Sequence, residues 1–181
     1  MITHRSIIHN NVRDCLWSMF CSYRIDAKIE PVLEHLNCFI SNRSARGDLY
    51  TAWINSHESI CDITTIDPLN TSNLMKKFDC SEQPLENAEI AKRIEYEIQI
   101  DKLNSSDRAS PLTFIPLAVS ILSMNFCRFI DSFEVLVSER GRKFDRSFWT
   151  GKIVFSIFKN FHLYLQTVLG KVFSWSSEET L

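Results

Sequence analysis

Histidine and cysteine are the first residue types in this sequence whose spacing suggests chemistry. His35 and Cys38 stand three positions apart, and His57 and Cys61 four apart; on helices both spacings put the two side chains on one face. Two such pairs would supply the two thiolates and two imidazoles of a tetrahedral zinc site. Structural zinc sites usually include a tight CxxC knuckle, however, and none of the six cysteines (Cys15, Cys21, Cys38, Cys61, Cys80, Cys127) belongs to one. The better reading is thiols that act as small buried hydrophobes. No metal ion or other cofactor is expected.

Nucleophilic and acid–base chemistry find no better footing. No local pattern marks any cysteine as an activated thiolate, and the GxSxG turn that would expose a serine nucleophile is absent. Glu95 and Glu97 are paired acids on a heavily charged stretch, which reads as a solvated face. The four glycines, Gly47, Gly141, Gly151 and Gly170, are scattered. A phosphate-cradling loop needs them clustered so that backbone N–H groups can approach the ligand. No catalytic residue is assigned, and a protein that is not an enzyme is expected.

Aromatic and basic residues concentrate towards the C-terminus. Residues 126–175 hold twelve of the 21 aromatic residues, with eight Lys/Arg against four acids. Arg140, Arg142, Lys143 and Arg146 cluster in a stretch that reads as a turn, where a basic loop with flanking aromatics can hold phosphates and stack bases. A solvated loop joining two core helices accounts for it equally. After it, Lys152, Ser156, Lys159, Gln166 and Lys171 form only a narrow polar stripe on an otherwise apolar helix. Phe148, Trp149, Phe155, Phe158, Phe161 and Tyr164 then become candidate partner-contacting residues, because so much exposed apolar area would otherwise promote aggregation.

Periodicity near 3.6 residues runs through most of the chain. Val12, Leu16, Met19/Phe20 and Tyr23 suggest a first helix, with Asn10 or Asn11 as N-cap. Ile29, Val32/Leu33, Leu36 and Phe39/Ile40 suggest a second, entered through Pro31. Asn42 to Gly47 reads as a polar turn, and a third helix from Asp48 would bury Leu49, Trp53 and Ile60. Residues 62–84 are irregular, with only a short helix at 74–78. Leu85 to Leu103 reads as a charged surface helix carrying Ile90, Ile94 and Ile98. The apolar run from Leu112 to Val137, ending near Gly141, and a last helix capped by Asp145 and running to Trp175, complete the set. The expected fold is all-α, one domain over 1–181: a bundle of six to seven helices around a long apolar central helix, with a polar tail at 176–181.

The segment Phe148-Trp149-Thr150-Gly151-Lys152-Ile153-Val154 loosely resembles the Asn-Trp-Gly-Arg helix start of Bcl-2-like proteins, with one extra residue and Lys for Arg. The match spans under a tenth of the chain and lies near its C-terminus, which leaves little room for the helices that should follow. The resemblance implies a helical bundle with a groove for a partner's amphipathic helix. It stands as an alternative and not as family membership.

Length and composition bound the rest. The chain has 181 residues, 45% hydrophobic and 23% charged, with a net charge of −2. It is long enough to bury a core without staples and is not strongly basic overall. Arg128 and the polar residues around it break the first long apolar run, and Lys152, Lys159, His162 and Lys171 the second, so neither reads as a membrane span. No apolar run follows Met1, which argues against a secretory signal and for a reducing, cytoplasmic or nuclear compartment. Arg5, Arg13 and Arg24 around Ile8, Val12, Leu16 and Phe20 are also compatible with a mitochondrial presequence, although Asp14 favours an ordinary first helix. The function expected is a non-enzymatic subunit of an intracellular complex, contacting a protein partner through its aromatic C-terminal helices. The alternative is contact of the 140–146 loop with nucleic acid or an anionic membrane surface.

Overall fold

Ile60, Ile63, Thr64, Thr65 and Ile66 make Glu58–Ile66 rich in β-branched side chains, which fit a pleated, buried surface better than a helix. In the computed structural model, which describes residues 4–31, 47–52, 58–66, 83–105, 111–120 and 127–159, this stretch is a nine-residue strand. The elements in chain order are α1 (His4–Ser22), β1 (Asp26–Ile29), β2 (Leu49–Ala52), β3 (Glu58–Ile66), α2 (Gln83–Asn104), β4 (Leu112–Ser120), α3 (Cys127–Glu139) and α4 (146–159). The strands form one sheet in the order β1-β2-β3-β4. β1, β2 and β3 pair antiparallel, and β4 lies parallel to β3. α2 is therefore the crossover that a parallel pair requires.

Strand alternation divides the core in two. Leu49, Cys61, Ile63, Leu117 and Val119 lie in one cluster with α1, α3 and α4. Tyr50, Ile60, Leu112 and Phe114 lie in another with Tyr96 and Ile100 of α2. The registers Leu49↔Cys61↔Ile115 and Tyr50↔Ile60↔Phe114 line up these two sets across the strands. The result is three layers, with the sheet between α2 and the other helices. α1 buries Val12, Cys15, Leu16, Met19 and Phe20, the i, i+3, i+4, i+7, i+8 stripe of an amphipathic helix.

Two helix ends carry the same stop. Ile25 N–H donates to Phe20 C=O and Arg24 N–H to Cys21 C=O, with Arg24 at φ 57°. Arg142 N–H donates to Val137 C=O and Gly141 N–H to Ser138 C=O, with Gly141 at φ 68°. Both are paired 6→1 and 5→2 closures around a left-handed residue. Gly141 thus ends α3 as its sequence position suggested. Asp145 accepts from Phe148 N–H at 3.0 Å and caps α4, also as expected.

The expected all-α bundle is overturned by the four-stranded sheet; the fold is α/β. The bundle implied by the resemblance to Bcl-2-like proteins falls with it. The third helix expected from Asp48 is β2 and β3, and the irregular stretch expected from residue 62 begins as the second half of β3. The long helix expected from Leu112 is strand β4 followed by α3. Leu112–Ser120 is packed from both faces, so it shows no alternation, and a short continuous apolar run fits a buried helix as well as a parallel strand. Pro116 fits because β4 is an edge strand among the described residues, with β3 on one side, and an edge position tolerates a residue that lacks an N–H. The first helix is present but starts at His4, so Asn10 and Asn11 lie inside it and cap nothing. The Leu85–Leu103 helix is present as α2. The second helix from Val32 on, the short helix at 74–78, the last helix beyond 159 and the tail at 176–181 lie outside the described residues.

Gly47 is required where the chain turns into β2. A Cβ built there would lie far inside van der Waals contact of Ile60 Cγ2, on a fully buried side chain. Gly47→Ala is expected to destabilise the protein by about 1–3 kcal/mol, the usual cost of overpacking. Urea unfolding would check this, and a loss below about 0.5 kcal/mol would show that the strand start yields freely.

Candidate functional site

Continuing the β2–β3 register by one pair beyond Leu49↔Cys61 sets Asp48 opposite Asp62, and Asp48 N–H donates to Cys61 C=O at 3.0 Å. The two aspartates are thus neighbours where β2 begins. Each is held by a different helix. His9 of α1 places Nε2 2.8 Å from Asp48 Oδ1, while Asp48 Oδ2 accepts from the backbone N–H of Ile63. Asp62 Oδ2 lies 3.3 Å from Lys92 Nζ, and Asp62 Oδ1 accepts from the Tyr96 hydroxyl at 3.4 Å, both on α2. Lys92 also lies 3.3 Å from Glu95.

Burial and charge set the protonation of this group. Burial pushes the Asp62 carboxyl above its usual range, and the Asp48 charge adds to the push against the opposing pull of Lys92. The hydrogen bond to Asp48 holds His9 above an ordinary imidazole despite partial burial. Burial works to lower Lys92, but Asp62 and Glu95 together keep it above the ordinary lysine value. Cys61, on the opposite face of β3, is fully buried and pushed up to about 12 by burial, with Asp48 and Asp62 adding to the shift. It is an inert thiol. The arrangement is two adjacent carboxylates, one fixed through both oxygens and one strained by burial, with a cationic lysine at the second.

α2 shows what this site demands of the fold. Leu85, Glu89, Lys92, Tyr96 and Ile100 follow one another at helical spacing on the side that meets the sheet. Glu89 Oε1 accepts from Ala118 N–H on the edge strand at 3.1 Å, and Tyr96 stacks on Phe114 with ring centroids 4.7 Å apart. Ile90, Ile94 and Ile98, the expected apolar stripe, are instead 55%, 64% and 65% exposed. At the far end Asn104 exchanges two hydrogen bonds with the Leu112 backbone, at 2.7 and 2.9 Å, which fixes the helix along the sheet. The inner face thus combines buried Leu85, Tyr96 and Ile100 with the polar ends of Glu89 and Lys92, while three isoleucines stay outside.

Among the described residues no group of three or more His, Cys, Asp or Glu side chains is placed to hold a metal ion. The proposed zinc pairs are not tested by this, since His35, Cys38 and His57 lie outside the described residues. A hard ion such as Mg²⁺ asks less of a protein: one or two carboxylates, with waters and substrate phosphate oxygens completing the shell. Asp48 and Asp62 are the two carboxylates here that could meet it, and a cation would compete with Lys92 for Asp62 and with His9 for Asp48.

The expected contact residues lie on α4 and on the turn before it. Phe148, Phe155 and Phe158 are exposed on α4, while Trp149 is buried against α1 and α3; Phe161 and Tyr164 lie outside the described residues. Of the basic loop, Arg142 donates to Tyr23 C=O at 2.9 Å, and Arg146 pairs with Asp131 at 2.6 Å and Glu134 at 3.2 Å. Lys143 is exposed. Two guanidinium nitrogens of Arg140 are buried without a partner among the described residues. None of these lies among His9, Asp48, Asp62, Lys92 and Tyr96, which sequence reasoning passed over. The available signal was an aspartate inside a run of isoleucines and threonines, because a charge in a buried strand is rare unless it has work to do.

No helix among the described residues is long and apolar enough to cross a membrane. No family model matches the chain, and no curated protein matches it.

Proposed function

We propose that the chain is a divalent-cation-dependent phosphodiester hydrolase acting through Asp48, Asp62 and Lys92. The observation that carries the proposal is the placing of Asp48 opposite Asp62 in the β2–β3 register, with Lys92 and Tyr96 of α2 reaching Asp62. The reading departs from the expectation of a non-enzymatic subunit.

Each group has a physical role in this chemistry. His9 and the Ile63 N–H hold Asp48 in one orientation, so its carboxylate is preorganised as a cation ligand. Asp62 brings a second carboxylate beside it; without a cation its charge is opposed by burial and by Asp48, and a bound cation relieves both. A Mg²⁺-type ion would polarise the phosphodiester and supply a bound water of lowered pKa. Lys92 stands where its ammonium can neutralise charge that develops on the non-bridging phosphate oxygens. Tyr96 orients Asp62 from the helix side. Water adds to phosphorus, the ester oxygen leaves as an alcohol, and a phosphate monoester remains.

The test is turnover of bis(p-nitrophenyl) phosphate by the purified full chain with Mg²⁺ or Mn²⁺. The expected result is release of nitrophenol above the metal-only rate, abolished by EDTA and restored by excess Mn²⁺. Absence of turnover with either ion, together with no calorimetric binding of Mn²⁺, would sink the proposal.

A further inference from the structure

We infer that the outer face of α4 is a track for single-stranded nucleic acid leading towards the Asp48–Asp62 site. The inference names the substrate class of the hydrolase proposed above and rests on that reading.

Charge is the first observation. Residues 140–159 contain six Lys/Arg and one acid, Asp145. That acid is spent on capping α4, and Arg142 and Arg146 are held internally. Lys143, Lys152 and Lys159 are exposed and form no ion pair among the described residues, and the Lys152 ammonium lies 5.7 Å from the Phe148 ring centroid and 4.9 Å from that of Trp149. A strip of uncompensated positive charge fits a polyanion.

The second observation is aromatic. Phe148, Lys152, Phe155 and Lys159 succeed one another at i, i+4, i+7 and i+11, which is one helix face. All four are exposed, while Trp149, Ile153 and Ile157 carry the opposite face into the core. Rings alternating with cations are the pattern that binds unpaired bases by stacking and their phosphates by charge. A duplex would leave the rings unused, since its bases are already stacked. A protein partner is disfavoured by the two lysines at the centre of the face, because interface cores are depleted in lysine.

Direction is the third. α4 runs antiparallel to α1: Asp145 N–H donates to the Tyr23 hydroxyl at the C-terminal end of α1, and the Ser156 hydroxyl stands beside the Cys15 thiol two turns back along it. Continuing that register brings Lys159 level with about Val12, one turn from His9. A strand lying on α4 is therefore led towards the end of α1 that holds Asp48.

The test is fluorescence anisotropy of a labelled 20-nucleotide single strand and the matching duplex, with full chain in EDTA so that nothing is cut. Phe148→Ala/Phe155→Ala is expected to weaken single-strand binding by about 20-fold or more, and duplex binding by less than about 2-fold. Lys152→Gln/Lys159→Gln should lower the salt slope for the single strand by about 1.4. All four residues are exposed, so unchanged circular dichroism and melting temperature are expected of both variants. Equal losses for single strand and duplex, or none, would overturn the inference. So would wild-type binding at background, which would favour a protein contact. Asp62→Asn separates the two proposals. If wild type and Asp62→Asn both bind the strand through the phenylalanines but wild type hydrolyses no phosphodiester, the track stands and the hydrolase falls. If wild type hydrolyses bis(p-nitrophenyl) phosphate and the phenylalanine variant keeps its single-strand affinity, the track falls alone.

Discussion

Asp62→Asn is expected to reduce phosphodiester turnover by about 10³-fold or more, an effect of about 4 kcal/mol on the barrier, while leaving the protein folded. The substitution preserves shape. Its amide oxygen can still accept from the Tyr96 hydroxyl that now reaches Asp62 at 3.4 Å. Its amide nitrogen replaces the oxygen 3.3 Å from Lys92, and Lys92 keeps Glu95 as a second partner. The negative charge that would hold the cation is gone. Stability should move the other way or hardly at all, because burial and the neighbouring Asp48 both oppose the Asp62 charge in the cation-free protein. Melting in EDTA should therefore be unchanged or slightly higher. The rise that excess Mn²⁺ is expected to give wild type, by binding only to the folded state, should be lost. Lys92→Met should cost about 10²–10³-fold in turnover by removing the cation that faces the phosphate. If Asp62→Asn turned over within tenfold of wild type while its Mn²⁺-induced stabilisation persisted, Asp62 would have no place in catalysis.

The two kinds of error made from sequence share one physical origin. Alternation reveals a strand only when one face is wet, and both faces of β3 and β4 are covered by helices. Leu112–Ser120 therefore reads as a mainly apolar run without strand alternation, and joined to the amphipathic residues of Cys127–Glu139 it imitates one long helix. The helices were legible for the converse reason. α1 has a single buried stripe, and the ends of α3 and α4 are written in Gly141 and Asp145. α2 was legible as a helix but not in its orientation. Ile90, Ile94 and Ile98 predict which face should be buried, and the structure buries Leu85, Tyr96 and Ile100 instead, with Glu89 and Lys92 half-buried beside them. Periodicity measures hydrophobicity, so it misreads a helix whose inner face mixes apolar and polar residues. The candidate site has no linear motif for the same reason. Its residues lie at 9, 48, 62, 92 and 96, and only the sheet register and the crossover bring them together.

Phe133→Ala should cost about 3–5 kcal/mol, the largest stability loss expected from a single truncation in this fold. Phe133 is fully buried, and its ring centroid lies 5.3 Å from Phe20, 5.6 Å from Tyr23 and 5.3 Å from Phe144 in edge-on arrangements. Those rings come from α1, the turn after it and the segment before α4, so one side chain closes the contact of three elements. Tyr23 also receives the Arg142 guanidinium on its carbonyl and the Asp145 N–H on its hydroxyl, and a cavity beside its ring would loosen both. Folded domains are stable by about 5–15 kcal/mol, so the loss should bring Phe133→Ala close to unfolding. Phe148→Ala, on the exposed face of α4, should change stability by no more than about 0.5 kcal/mol. Urea midpoints for the two variants at unchanged m-value are the measurement. A Phe133→Ala loss under about 1.5 kcal/mol would mean that the α1–α3–α4 layer repacks freely. α4 could then not be held in a fixed register beside α1, and the path from its phenylalanines to Asp48 would lose its geometric basis.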